Sequence, residues 1–218
     1  MIMRKSLVFL CVIGISGGVL STAAPSQSQP VIDIAQRVKV VPIPNACEYF
    51  VRAGDTLVDK DKIGTELTLS EKQKLVERNA QALQILREGF SYEYQMTSTA
   101  FDEAAMKSNA NLRALARLLV AEGQSHAARG DGKRATNSFM DAMRLGTEIP
   151  RGAPLIGTIL GVAIESIGRR SLWEIANQAD ADTARQAARR LEIIEARRHP
   201  FVEMLRDEWS VSESGVRQ

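Results

Sequence analysis

The sequence is poor in aromatic residues, cysteine and histidine. Aromatic residues make up 5% of its 218 residues, whereas β-strands draw heavily on aromatic and β-branched side chains. Hydrophobic residues make up 44% and charged residues 25%, which is typical of globular proteins and not of disordered ones. Alanine and leucine, both strong helix formers, are plentiful. The composition therefore predicts an all-α protein.

The chain has almost no excess of charge. Its formal net charge is +2, and Arg4 and Lys5 are the only charged residues before Asp33. Without those two, 26 basic residues would balance 26 acidic ones. A neutral domain does not generate the field that draws a protein to nucleic acid or to anionic lipid. The charge balance therefore argues against a nucleic-acid partner.

The first residues have the order of a secretory signal. Two basic residues precede a stretch from Ser6 to Ala24 without any charge, and small residues occupy positions 22–24. Basic, apolar, small and then polar is the order typical of a signal peptide. About 20 apolar residues also suffice to span a bilayer, so an uncleaved signal-anchor is the alternative. We expect residues 1–24 to export the chain to the periplasm or cell envelope, by cleavage after Ala24 or by anchoring a domain that lies outside the cytoplasm.

Two further regions follow this leader. Residues 25–44 contain Pro42 and Pro44, which favour extended backbone in the residues before them. We expect this stretch to be an extended tether, with any membrane contact confined to the leader. Residues 45–218 show helical periodicity and predict one helical domain.

Capping residues mark the expected helix boundaries. Asn45 predicts a helix over 46–58, and Ser70 with Gln73 has the spacing of a capping box for a helix that ends at Gly89. Asn109 or Asn111 is the expected start of the next helix. The later boundaries are a helix end at Gly146 and a helix over 183–198 capped by Asp182.

One segment is apolar nearly all round. It runs from Leu155 to Ile167, and such a helix is expected to be buried or to lie in a membrane. The segment is too short to span a bilayer and contains Glu165. Gly157 and Gly161 have the spacing that lets a neighbouring helix approach closely.

Seven positions in the middle of the chain are spaced by four, three, four, five, four and three residues. Small residues in such a pattern let two helices cross closely, while the large residues fill the space between them. The positions are Leu119, Gly123, His126, Gly130, Ala135, Phe139 and Ala142.

This pattern resembles a single tetratricopeptide repeat over residues 116–145. The resemblance implies an antiparallel helical pair, flanked by further degenerate pairs, because one repeat cannot bury its faces alone. Glu122 and His126 stand where the family usually has leucine and tyrosine, and no proline stands at the expected end, although Pro150 is close. The chain is also similar to exported all-helical bacterial proteins of unassigned activity, which implies no catalytic residues.

Residues that carry chemistry are few and scattered. His126 lies at a packing position of the repeat, and His199 precedes Pro200 without an evident partner. Cys47 is the only thiol outside the leader, and it is either buried and inert or paired between chains. No spacing of these residues matches a metal, cofactor or catalytic motif.

Two glutamates stand out because they lie among apolar residues. Glu122 and Glu165 could have shifted pKa values as a catalytic pair, or they could form salt bridges with Arg117 and Arg169. A basic face on the helix over 183–198 also has two interpretations, a solvated face paired with Glu192 and Glu195 or a polyanion site. That face consists of Arg185, Arg189, Arg190, Arg197 and Arg198.

These observations favour a non-enzymatic exported helical-repeat protein that binds a protein or peptide as a scaffold in the cell envelope. One alternative is an envelope hydrolase acting on cell-wall glycan through paired carboxylates. The other is a carrier of a small apolar ligand, held in a cavity between helices. The sequence leaves the oligomeric state open.

Overall fold

The computed structural model describes residues 40–97 and 103–216 of the chain. Within these ranges the chain forms eight α-helices and no β-strand, which confirms the all-α class. The predicted leader and residues 25–39 of the predicted tether lie outside the described residues. The helices are α1 (Ala46–Thr56), α2 (Leu69–Arg78), α3 (Ala80–Gly89), α4 (Glu103–Ala127), α5 (Gly132–Glu148), α6 (Leu155–Ile175), α7 (Ala181–Ala196) and α8 (Phe201–Val216).

Helix α5 lies at the centre of the fold. It packs against α4, α6 and α7, while α4 also contacts α1, α2 and α6. Helix α8 packs on α6 alone among the helix pairs with substantial contact. The largest fully buried side chains include Phe50, Leu83, Leu86, Leu115, Leu118, Leu119, Phe139, Met140, Leu145, Ile149 and Ile164.

Glycines bring α5 and α6 into backbone contact. A Cβ atom added to Gly146 would stand 2.4 Å from the backbone nitrogen of Glu165 and 2.5 Å from the carbonyl oxygen of Gly161. One added to Gly168 would stand 2.6 Å from the carbonyl oxygen of Phe139. Of the predicted glycine pair, Gly161 thus lies against α5, whereas a Cβ on Gly157 would meet the Ala153 side chain of the preceding loop.

Asn45 caps α1, as predicted, and also fixes a distant loop. Its Oδ1 accepts hydrogen bonds from the backbone N–H groups of Cys47 and Gln95, both at 3.0 Å. Its Nδ2 donates to the carbonyl oxygen of Gln95 at 2.8 Å. Because Asn45 is only 1% exposed, these bonds hold the loop around Gln95 firmly against the start of α1.

Two details of the second predicted helix are wrong. The capping box is formed by Thr68 and Glu71, whereas Ser70 lies inside α2. The predicted helix is also interrupted at Asn79, so that α2 and α3 are separate helices. The buried Asn79 side chain accepts from the N–H of Val58 at 2.8 Å and donates to the carbonyl of Leu75 at 2.9 Å. The backbone of Asn79 departs from helical geometry, with φ −105° and ψ 15°, although its N–H still donates to the carbonyl oxygen of Leu75 at 3.2 Å.

Three later boundaries also differ from the prediction. Helix α4 runs from Glu103 without interruption, so Asn109 and Asn111 are interior residues. Helix α5 continues through Gly146 to Glu148, because the glycine serves the contact with α6 and not a helix end. Asp180, and not Asp182, caps α7 by accepting from the N–H groups of the first turn.

Helix α6 is neither fully buried nor long and apolar enough for a bilayer. Within residues 40–97 and 103–216, no helix combines the length and the hydropathy needed to cross a membrane. One side of α6 faces α4 and α5, and another side leaves Ile156, Ile159 and Val162 about half exposed. The expectation that an all-round apolar helix is buried was therefore wrong for this side.

The backbone contact predicts that Gly146→Ala will be strongly destabilising. The added methyl group would meet backbone atoms of α6, which cannot move without separating the two helices, so we expect a loss of about 3 kcal/mol or more. Gly132→Ala is the control, because a Cβ atom added there would have no neighbour within 4 Å. Urea unfolding should place that control within about 1 kcal/mol of wild type; equal stability of the two variants would contradict the contact.

Candidate functional site

The positions of the repeat-like pattern lie where α4 meets α5. Leu119, Ala135, Phe139 and Ala142 are each at most 1% exposed. A Cβ atom on Gly123 would stand 2.3 Å from the ring of Phe139, so only glycine leaves room for that ring. The pattern therefore describes the contact of one helical pair.

Two other positions of the pattern surround the turn between these helices. His126 is partly exposed in the last turn of α4. Gly130 has a φ of +77°, a conformation that favours glycine. Family membership does not follow from this geometry, and the resemblance remains a prediction.

Glu122 is held by an arginine that the sequence did not indicate. Its carboxylate accepts two hydrogen bonds from Arg87 of α3, one of them at 3.1 Å, and a third from the Ser138 hydroxyl at 2.6 Å. Burial raises the pKa of Glu122, but the bonds from Arg87 and Ser138 outweigh burial and lower it overall. The prediction that Glu122 pairs with Arg117 was wrong.

Glu165 is held by two arginines. The predicted bond from Arg169, one turn away, is confirmed. Arg198 adds two bonds across to α6, at 3.0 and 3.1 Å. Burial raises the pKa of Glu165, but the bonds from Arg198 and Arg169 prevail and lower it.

These pKa directions bear on the catalytic interpretation of the two glutamates. A glycoside hydrolase needs one carboxyl with a raised pKa to donate a proton. Glu122 and Glu165 both have lowered pKa values, and each is bound within its own arginine cluster. Neither carboxyl is thus suited to proton donation at neutral pH.

Arginines also surround two buried acids of α5 whose partners the sequence did not indicate. Asp141 accepts from the Arg87 Nε at 2.9 Å and from Arg190 of α7. Glu148, 3% exposed, lies 3.5 Å from nitrogen atoms of both Arg144 and Arg197. No short spacing in the sequence links Asp141 to its partners or Glu148 to Arg197, so only the folded arrangement reveals them.

Most arginines on α7 and in the turn after it accordingly serve contacts within the chain, whereas Arg189 is exposed. Arg190, Arg197 and Arg198 each reach an acid of α5 or α6. Arg198 also pairs with Glu195 at 2.8 Å, which confirms one predicted bridge, and Arg185 pairs with Asp182. This favours the paired face over a polyanion site.

His199 has a partner that the sequence did not indicate. Its Nε2 lies 2.9 Å from the Asp207 Oδ2, and both side chains are largely buried. The same oxygen accepts from the backbone N–H of Gly152 at 3.0 Å. These contacts connect the turn before α8, helix α8 and the loop before α6.

Helix α8 runs antiparallel to α6. The Thr158 hydroxyl lies 3.3 Å from the Met204 sulfur, and the Leu155 N–H donates to Glu208 at 2.6 Å. Later residues of α8 thus lie beside earlier residues of α6. These two contacts show which side of each helix faces the other helix and which side remains exposed to solvent.

An apolar surface results on one side of this helical pair. Successive side chains of a helix are rotated by about 100° about its axis. Counted from the contacting residues Thr158 and Met204, this rotation places the exposed apolar side chains of both antiparallel helices on the same side of the pair. We call this surface the α6–α8 face. It comprises Leu155 (50% exposed), Ile159 (57%) and Val162 (53%) of α6 with Phe201 (66%), Leu205 (46%) and Trp209 (51%) of α8.

Cys47 and the described acids offer little for metal chemistry. Burial raises the pKa of the Cys47 thiol, despite hydrogen bonds with Tyr94 and Thr97, which keeps it protonated at neutral pH. Among the residues that the structure describes, no three His, Cys, Asp or Glu side chains are grouped to hold a metal ion.

The lowered pKa of Glu122 predicts a specific acid response. Ionised Glu122 stabilises the fold above its unfolded pKa of about 4.3, and this contribution is lost as the pH falls through the lower folded pKa. Glu122→Gln should therefore be less stable than wild type at pH 7 but lose less stability between about pH 5 and pH 3. Urea midpoints across this range measure the difference.

Glu77→Gln, at an exposed position of α2, is the matched control for that measurement. It should follow wild type throughout. An acid response of Glu122→Gln identical to that of wild type would refute the stabilising role of the ionised carboxylate.

Comparison with known proteins identifies no relative of this chain. No protein-family model matches it, and neither a curated protein nor a solved structure gives a match.

Proposed function

We propose that this chain is a non-enzymatic, exported helical protein that binds a partner protein or peptide as a scaffold in the cell envelope. The α6–α8 face is the observation that supports binding. Its six apolar side chains are 46% to 66% exposed on two adjacent helices. Contiguous apolar surface of this kind typically marks an interaction site, whereas single exposed apolar residues do not.

The shape and charge of the face suggest what it binds. The apolar residues extend over about two turns of each helix, or roughly 12 Å along the axes. No charged residue occurs in α6 between Leu155 and Ile164. Helix α8 adds one carboxylate, Glu208, at the Leu155 end of the face. An elongated, mainly apolar surface suits the apolar side of an amphipathic helix, which would place its own residues at spacings of three and four against it.

A repeat-like architecture is part of the same proposal. The close contact of Gly123 with Phe139 and the packing of α6 on both α4 and α5 support it. Helix α7, however, packs chiefly on α5 and not along α6, so a second regular pair is not supported. We therefore limit the tetratricopeptide-like pair to α4 and α5.

Site-specific photo-crosslinking in cells that naturally produce the chain tests the binding role. A photoreactive residue in place of Ile159 or Leu205 should form an adduct with one and the same partner protein. Mass spectrometry of the adduct should place the crosslink in a segment with apolar residues at spacings of three and four. The same residue at Glu77 of α2 should give no such adduct.

A second substitution separates binding at the face from chance proximity. Val162→Glu, combined with the probe at Leu205, should reduce the adduct about tenfold or more, because it buries a charge against the partner. The proposal fails if neither position forms a protein adduct, if position 77 gives the same product, or if the only product is lipid or a second copy of this chain.

Export rests on the leader and has its own test. The full-length chain should be recovered from the periplasmic or membrane fraction, and a chain lacking residues 1–24 should stay in the cytosol. The mass of the recovered chain distinguishes cleavage after Ala24 from anchoring. Recovery of the intact full-length chain in the cytosolic fraction would contradict export.

A further inference from the structure

A cavity of about 260 Å³ lies between α1, the loop after α3 and the first turns of α4. Phe50, Val51, Met96 and Leu112 supply its apolar wall. Ser108 and Asn109 of α4 contribute polar groups on another side. None of the described residues that line it is charged.

The frame of this cavity is held by buried contacts. Asn45 ties the loop at Gln95 to the start of α1, as described above. The rings of Phe50 and Tyr94 stack with their centroids 5.6 Å apart, and Phe90 meets Phe50 edge-on at 5.5 Å. Because Tyr94 is 2% exposed and Phe50 1%, this wall does not depend on an occupant to form.

We propose that this cavity binds a small, uncharged, mainly apolar molecule that carries one hydrogen-bonding group. An engineered apolar cavity of about 150 Å³ in another protein binds benzene, and pockets for drug-sized ligands begin near 300 Å³. A volume of about 260 Å³ thus suits a ligand on the order of ten non-hydrogen atoms. A peptide or a long acyl chain would not fit entirely within this volume.

The lining also sets the polarity of the ligand. An ion would enter without any opposite charge among the described lining residues and would lose its hydration. Burial raises the pKa values of both Cys47 and Tyr94, so these two groups are neutral near pH 7. Ser108 and Asn109 offer the hydrogen bonds that orient an otherwise apolar molecule. This binding is independent of the α6–α8 face, since no residue is shared.

Cys47 provides a direct readout of occupancy, because it lines the cavity and is partly exposed. The test uses the full-length chain and indole as a small apolar probe with one N–H donor. Indole should bind saturably in a titration followed by calorimetry. In alkaline buffer, where enough of the Cys47 thiol ionises to react despite its raised pKa, saturating indole should slow alkylation of Cys47 by iodoacetamide about fivefold or more, with the site resolved by peptide mass spectrometry.

A pair of serine variants locates the binding. Ser108→Phe should fill the cavity from α4 and weaken indole binding about tenfold or more. Ser70→Phe, at an exposed position of α2, should leave the affinity within about twofold. Circular dichroism checks whether both variants fold. If Ser108→Phe does not fold, the Cys47 measurement on the unaltered chain still tests the proposal.

Three results would overturn the proposal. They are the absence of saturable indole binding at millimolar concentration, binding that leaves Cys47 alkylation unchanged, and equal affinity of folded Ser108→Phe and wild type. Because α6 and α8 take no part in the cavity, each of these results leaves the proposed partner binding intact.

Discussion

Asp141 lies on the central helix α5 and accepts hydrogen bonds from Arg87 of α3 and Arg190 of α7. A carboxylate that is 7% exposed is costly to bury unless its charge and its oxygen atoms are matched. The two arginines meet this requirement from different elements, and Arg87 also satisfies Glu122 of α4. The buried charge of Asp141, together with the apolar side chains of α5, thus determines which helices pack around α5.

The same helix explains why α6 lies where it does. Gly146 brings the backbone of α5 against that of α6, and Glu165, beside this contact, is ionised and bound to Arg198 after α7. Close packing and charge matching therefore act at the same place. The side of α6 that turns away from α5 receives only partial cover from α8, which leaves the α6–α8 face exposed.

Local patterns in the sequence were sufficient to predict the helical class, the capping role of Asn45 and the close contact at Gly123 and Phe139. They were not sufficient at Asn79, because its side chain is bound by Val58, which is distant in sequence. The partners of Glu122 were also missed, since Arg87 lies on another helix. Periodicity indicates which face of a helix is apolar, whereas tertiary packing decides which side chains bind each other across helices.

The exposed side of α6 is the most informative failure of prediction. Apolar residues all round a helix predict burial, and yet Ile159 is 57% exposed. Places where a local rule fails are expected to be functional sites. A partner that covers this side would restore the burial that the sequence predicts, and we propose that such a partner binds here.

Cysteine accessibility in cells tests whether a partner covers this side of α6. A cysteine in place of Ile159 would be alkylated with a membrane-permeant reagent in cells that naturally produce the chain, and again in the purified protein. Because a bound partner would shield position 159, we expect a rate at least about fivefold lower in cells at this position, with no such difference for a cysteine in place of the exposed Asn177 beyond α6. Equal rates in cells and in the purified protein at position 159 would contradict the proposal.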